Sequence, residues 1–266
     1  MAQSPRIFAI ANQKGGVGKT TTSINLATSL AAVGKRVLLI DMDAQGNAST
    51  GLGVKRSERD CSSYDLLFGD KTISECVAET RVPRLSIIPS SMNLSGAELE
   101  LVSMEDREFQ MKNALRDVEN LYDYIVVDCP PALNLTTLNI LVAADAVIVP
   151  LQCEFYALEG LAHLTKTIER VKASFNPNLM LHGVVLTMFD TRNRLSTMVA
   201  NDVRGYFGDT VYNTVIPRNV RVSEAPSYGL PAIIYDIRCA GSQAYIQLAK
   251  EVIKREKVLQ QEMKAA

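Results

Sequence analysis

The segment Gln13-Lys14-Gly15-Gly16-Val17-Gly18-Lys19-Thr20 follows an unbroken apolar run, Ile7 to Ala11, and opens a helical pattern that continues from Thr20 to Val33. A glycine-rich turn between a buried strand and a helix constrains this chain more than any other feature, because it is the opening half of a parallel βα unit. Glycines let backbone N–H groups turn inward around an anion, and the helix N-terminus adds the positive end of its dipole. A lysine at position 19 can reach phosphate oxygens and a threonine at position 20 can ligate Mg²⁺. Gly15, Gly16, Val17, Gly18, Lys19, Thr20 and Thr21 are therefore the expected phosphate contacts. Against the pattern G-x-x-x-x-G-K-[ST] there is one departure: Gln13 stands where the first glycine is usual, and Lys14 follows it.

Further short apolar runs follow at Val37 to Ile40, Leu85 to Ile88, Tyr124 to Val127, Ala146 to Val149, Val184 to Leu186 and Val211 to Val215. Most are apolar throughout rather than alternating, as expected of parallel strands covered on both faces. Helical patterns lie between them at Thr20 to Val33, Asp106 to Asn120 and Ala157 to Ser174, with a last one from Ser242 to Lys264. That order predicts an α/β fold, a doubly wound, mostly parallel sheet with helices on both faces, in one domain spanning residues 1–266. The last helix places Tyr245, Ile246, Ala249, Val252 and Ile253 on one side, which suits packing on the domain. Its distal half mixes charge signs and lacks bulky aromatics, which does not suit a membrane surface.

Basic and acidic side chains nearly cancel, 28 against 29, so no global field draws the chain to nucleic acid or to an anionic membrane. Any such binding has to come from a local patch. The five cysteines are scattered and never form a C-x-x-C pair, which argues against a disulfide framework or a zinc site and favours a reducing, cytoplasmic setting. No apolar run approaches the length of a membrane span.

Two further strands end in carboxylates. Asp41 and Asp43 follow Leu38-Leu39-Ile40, and Asp128 follows Tyr124-Ile125-Val126-Val127 and precedes Cys129-Pro130-Pro131. Carboxylates at the carboxyl ends of parallel strands sit where such sheets place ligands, beside the first βα loop. They can serve Mg²⁺ or its waters, and one of them can orient an attacking water. Being two apart, Asp41 and Asp43 would share one face of an extended chain.

On these residues the chain resembles the deviant Walker A ATPases, whose loop reads K-G-G-x-x-G-K-[ST] as Lys14 to Thr20 does. The resemblance implies ATP and Mg²⁺ as cofactors and an ATP-bound sandwich dimer. Lys14 would act catalytically on the nucleotide held by the other subunit. Asp43 would be the catalytic, water-orienting residue, Thr20 and Asp128 would hold the metal, and Asp41 would support it from behind. The family pattern D-x-D-x-Q-G-N is met except that Ala44 replaces the usual proline, and Asn134 stands where glycine is usual after the second carboxylate strand. Iron proteins of the nitrogenase type are excluded, since no cysteine sits in the glycine-rich setting their cluster needs. A division-site ATPase of the MinD type is the alternative, weakened by the character of the last helix. An amidotransferase-like synthetase sharing this loop is a third reading.

The segments Leu186 to Ser196 and Ile216 to Gly229 resemble the ParA branch, including the Soj proteins, in its short form without an N-terminal helix-turn-helix. Between Asp190 and Arg221, five arginines face three aspartates. The branch resemblance implies ATP hydrolysis, non-specific binding of double-stranded DNA through Arg192, Arg194, Arg218 and Arg221, and adenine contacts from Pro217 and Asn219. It also implies a ParB-like centromere-binding partner, association with the nucleoid and no membrane anchor.

Overall fold

The computed structural model describes residues 4–116, 118 and 121–265. Eight strands form one sheet: β1 (Arg6–Ile10), β2 (Val37–Asp41), β3 (Ala78–Glu79), β4 (Leu85–Ile88), β5 (Tyr124–Asp128), β6 (Ala146–Gln152), β7 (Met180–Phe189) and β8 (Val211–Pro217). Their order is β3-β4-β2-β5-β1-β6-β7-β8, and all neighbours are parallel except β3 with β4. All seven apolar runs become strands. The two-residue β3 is too short and too polar to announce itself.

Alternate side chains of the central strands enter different cores. Phe8, Ile10, Leu39 and Val126 pack with the first helix (Lys19–Ala32) and the last (Ala240–Ala265). Ala9, Leu38, Ile40 and Val127 pack with the helices Leu135–Ala143 and Ala157–Ser174. Because both faces are covered, both sets of positions must be apolar, and the strands lose the alternation of a half-exposed sheet.

The first helix is unusual in composition. Thr20, Thr21, Thr22 and Ser23 occupy its opening turn, none of them a strong helix former. Its stability comes from tertiary contacts: Leu26 and Leu30 are fully buried, each worth about 2 kcal/mol of apolar transfer. The polar side chains have distant partners. Thr22 Oγ1 lies 3.2 Å from Tyr245 Oη, and Asn25 Oδ1 accepts from the Ala232 amide at 2.9 Å.

Two expectations are corrected. The helix expected over Asp106 to Asn120 exists only at Gln110–Ala114; Asp106 takes a positive φ of 49°, which a helix cannot accommodate, and residues 117, 119 and 120 lie outside the described residues. Cys61 and Cys76 form a disulfide across a Cα–Cα distance of 4.8 Å. The fold between them, two short helices (Ser63–Leu67 and Ile73–Cys76), returns the chain on itself, a proximity that sequence spacing does not reveal.

Among the described residues no helix is long and apolar enough to cross a membrane. The last helix buries Tyr245, Leu248, Ala249 and Val252, so its apolar side is occupied by the protein itself. Its Glu251 carboxylate accepts from the backbone amides of Asn213 at 2.8 Å and Thr214 at 3.0 Å, on edge strand β8. One turn further on, buried Glu256 lies 3.0 Å from Arg6 Nε and 3.0 Å from His182 Nε2. Burial alone would raise the Glu256 pKa, but the His182 hydrogen bond and the Arg6 charge outweigh it and hold the carboxyl below its usual range.

Glu256→Ala strands a buried imidazole and a largely buried guanidinium, and should cost about 3 kcal/mol in urea denaturation at neutral pH. With the folded pKa depressed, this stabilisation is fully present above the ordinary glutamate range and is lost as pH falls through the folded value. The gap between parent and variant should therefore close on acidification, as denaturation series at descending pH would show.

Candidate functional site

Strand register builds the site. Asp41 pairs with Asp128 across β2 and β5, and Ile10 pairs with Asp128 across β1 and β5, so three strand ends stand level. The loop leaving β1 therefore passes directly over two carboxylates. It is braced from the far side of the chain: Thr187 Oγ1 on β7 donates to the Val17 carbonyl at 2.8 Å. Buried Asn12 donates to the Pro150 carbonyl at 2.8 Å and accepts from the Lys14 amide at 3.0 Å. Gly18, the N-cap of the first helix, has φ 88°, a left-handed conformation that a side chain would strain.

Lys19 is buried, and its Nζ donates to the Lys14 carbonyl at 3.1 Å, folding the side chain over the loop. Burial pushes its ammonium below the usual lysine range, opposed by the charges of Asp128 and Asp43. Asp128 is fully buried; its Oδ1 accepts from Ser23 Oγ at 2.8 Å, and the nearby Thr20 hydroxyl favours its ionised form. Its Oδ2 is buried with no hydrogen-bond partner. Asp41 is equally buried, but both of its oxygens are engaged, Oδ2 by the Ser49 amide at 2.8 Å and Ser49 Oγ at 2.7 Å, Oδ1 by the Asp43 amide at 3.3 Å. Burial pushes both above the usual range, aided at Asp128 by the charge of Asp41 and at Asp41 by that of Asp43.

β2 ends at Asp41, so the extended-chain alternation that would set Asp41 and Asp43 on one face does not continue to Asp43. Asp43 lies in a turn, half-buried, accepting from the Gln45 amide at 3.0 Å, yet close enough to act electrostatically on Lys19, Asp41 and Asp128. Arg59 clamps this turn, donating to the Gly46 carbonyl at 3.3 Å, Thr50 Oγ1 at 2.9 Å and the Val54 carbonyl at 2.9 Å. A Cβ on Gly46 would stand 2.2 Å from the guanidinium, so glycine is required there for the clamp to close.

Lys14 is half-exposed and ion-paired with Glu154, just beyond β6. Pro217 pairs with Phe189 across β7 and β8, which sets it one strand from the Thr187 brace, and it lines an open groove with Phe189, Arg218 and Gln243. Asn219 caps its own short helix, its Oδ1 accepting from the Val222 amide at 3.3 Å. The four arginines differ. Arg192 is held by Asp190 through bonds of 2.9 and 2.7 Å, and Arg221 by Glu224 at 3.1 Å and Asp236 at 3.7 Å. Arg194 and Arg218 are exposed and make no ion pair among the described residues.

Among the described residues no cluster of three or more His, Cys, Asp or Glu could hold a metal by itself. The unmatched Asp128 oxygen and the nearby Thr20 hydroxyl are groups that could serve a cation taking its remaining ligands from water and phosphate, as Mg²⁺ does. A parallel sheet whose first strand enters a glycine loop, with a lysine and a threonine opening a helix above buried strand-end carboxylates, defines a P-loop nucleotide hydrolase.

A family model described as an AAA domain matches residues 5–181. The chain is 57% identical to the chromosome partitioning protein ParA of Caulobacter vibrioides, over 97% of each chain. It is 52% identical to the sporulation initiation inhibitor protein Soj of Bacillus subtilis, over 93% of this chain and 98% of that one. Among solved structures it is similar to cobyrinic acid a,c-diamide synthase of Mycobacterium smegmatis with bound ADP and magnesium, at 35% identity and a TM-score of 0.84 over 95% and 96% of the two chains. The chain belongs to the ParA/Soj family of chromosome-partitioning ATPases.

Ser49→Ala removes one donor to Asp41 and the acceptor of the Ser90 amide, which bonds Ser49 Oγ at 3.0 Å. Leaving these buried groups short of partners should lower unfolding free energy by about 1–3 kcal/mol, read from urea midpoints at constant m.

Proposed function

We propose that the chain works as a single cytoplasmic ATPase domain that pairs on binding ATP, adheres to DNA of any sequence, and is reset by hydrolysis. The observation that carries this is the buried, half-satisfied Asp128 carboxylate beneath the loop, placed to engage a hydrated cation next to Thr20. Gly15 to Thr21 wrap the phosphates, and Lys19 leaves the Lys14 carbonyl to pair with them. Mg²⁺, when bound, neutralises phosphate charge and polarises the bond to be broken. Thr20 and Asp128 hold its shell, and Asp41 fixes the turn that presents Asp43. Asp43 orients the attacking water. Pro217 and Asn219 border the adenine.

Lys14 crosses to the nucleotide of the second subunit once it leaves Glu154. Gly15 has nothing within 4 Å of where a Cβ would stand, so the loop offers an open face for that approach. Hydrolysis separates the subunits and releases DNA, and a ParB-like centromere-binding protein is the expected stimulator, which would localise the protein to the nucleoid. The curated relatives named as partitioning proteins support this over a synthetase. The occupied apolar side of the last helix supports it over a division-site membrane ATPase.

ATPase activity with and without duplex DNA and a ParB-like protein tests the reading. Activity that neither raises, or turnover of a small carboxylate, would overturn it. Lys19→Ala should abolish nucleotide binding by calorimetry, because it removes the charge that pairs with the β/γ-phosphates. Asp43→Ala should keep ATP affinity while hydrolysis stops, since orienting water acts on the transition state alone. The variant should sediment as a persistent ATP-bound dimer.

For DNA, Arg194 and Arg218 make no ion pair among the described residues, although the Arg218 charge reaches Asp190, whereas Arg192 and Arg221 are paired with carboxylates. Reversing Arg194 and Arg218 to glutamate should weaken binding to unrelated duplexes at least about tenfold and flatten the salt dependence. Reversing Arg192 and Arg221 should weaken it less. Affinity series at several salt concentrations, with ATP and with ADP, check the order.

A further inference from the structure

The bridge between Cys61 and Cys76 begins beside the turn that carries Asp43. On one side of Cys61, Arg59 clamps that turn through the Gly46 carbonyl, Thr50 Oγ1 and the Val54 carbonyl. On the other, Ser63 Oγ donates to the Asp41 carbonyl at 2.5 Å, and the Ser63 amide donates to the Pro89 carbonyl at 2.8 Å. Cys76 ends the helix Ile73–Cys76, which leads directly into β3. The bridge thus ties the support of the Asp43 turn to the margin of the sheet. Both helices inside it, Ser63–Leu67 and Ile73–Cys76, are about one turn long and too short to hold themselves.

We propose that Cys61 and Cys76 form a reversible oxidation site whose state sets how firmly the Asp43 turn is held. The proposal rests on the water-orienting role given to Asp43 above. In a reducing compartment a disulfide is a two-state group and not a permanent staple. The two sulfurs differ in access, Cys61 being half-buried and Cys76 only 3% exposed. Cys61 therefore meets the oxidant, a low-molecular-weight disulfide such as glutathione disulfide. Its thiolate attacks one sulfur, forming a mixed disulfide and releasing one glutathione thiolate, and the Cys76 thiolate then displaces the second. The protein gives up two electrons and two protons, and glutathione disulfide becomes two glutathione thiols. Cys129 and Cys153 are buried, and burial pushes both thiols up, which keeps them out of this exchange.

A cross-link across 15 positions removes chain freedom from every opened state of the segment. The oxidised segment stays closed over the turn, and the reduced one opens more often. Opening loosens the Arg59 clamp and lets Asp43 drift from the attacking water, which lowers kcat and spares ATP affinity.

The test takes the full chain in glutathione disulfide and in reduced glutathione, with the state of the pair read by thiol labelling and by mass spectrometry of the linked peptides. The parent should convert reversibly while folded, and reduction should speed amide exchange over residues 62–77 at least about tenfold. Reduction should also lower kcat at least about threefold with KM for ATP unchanged. Cys61→Ser and, independently, Cys76→Ser should run at the reduced parent's rate in both buffers. A parent that stays bridged in reduced glutathione until it unfolds carries a permanent staple, and the proposal falls. A response that survives in both variants assigns it to another cysteine and overturns it equally. Exchange that responds while kcat does not would leave the pair without control of hydrolysis, and the proposal would be wrong. Parental hydrolysis by Asp43→Ala would instead remove the role of the turn itself.

Discussion

The Asp128 carboxylate is the point on which the rest of the site depends. It is carried by a central strand into a position without solvent, tied on one oxygen by Ser23 and left unmatched on the other. A buried anion of this kind is costly unless a cation or hydrogen bonds meet it. The surroundings answer that need: hydroxyl groups in the first turn of the first helix, a buried lysine above, and a second carboxylate alongside that raises the demand further. The poor helix formers Thr20 and Ser23 make sense in these terms, since alanines there would propagate the helix better and leave the carboxylate bare.

Asp41 and Asp128 look alike in the sequence, each the last residue of an apolar strand, yet the fold gives them different work. Asp41 spends both oxygens on Ser49 and the Asp43 amide and so shapes a turn. Asp128 keeps one oxygen in reserve. The difference arises from what lies beside each strand end, a short helix at residues 47–51 for the first and the phosphate loop for the second.

Strands and loop were legible in the sequence because their signals are local: apolar runs, a glycine-rich turn, a lysine–threonine pair. What could not be read is whatever joins distant segments. Ser23 meets Asp128 across 105 residues, and Thr187 meets Val17 across 170. The same holds for the Arg59 clamp, the Cys61–Cys76 bridge and the Lys14–Glu154 pair. Charge counting also had a limit: five arginines against three aspartates in one stretch gave a local positive excess, but did not reveal that Asp190, Glu224 and Asp236 pair with two of them. A helix expected over residues 106–120 failed for a different reason, since Asp106 is committed to a left-handed turn.

The sheet's two margins carry a consequence for assembly. On one side the last strand, β3, is only two residues long and runs antiparallel to its neighbour. On the other, the Glu251 carboxylate occupies the backbone amides of Asn213 and Thr214 on β8. An incoming strand finds only a short template at β3 and, at β8, two amides already taken by a carboxylate whose negative charge repels approaching backbone carbonyls. Both margins therefore disfavour growth by strand addition. Copies of this chain are steered toward contact through side-chain surfaces, where a ligand can make or dissolve the contact, rather than through the backbone.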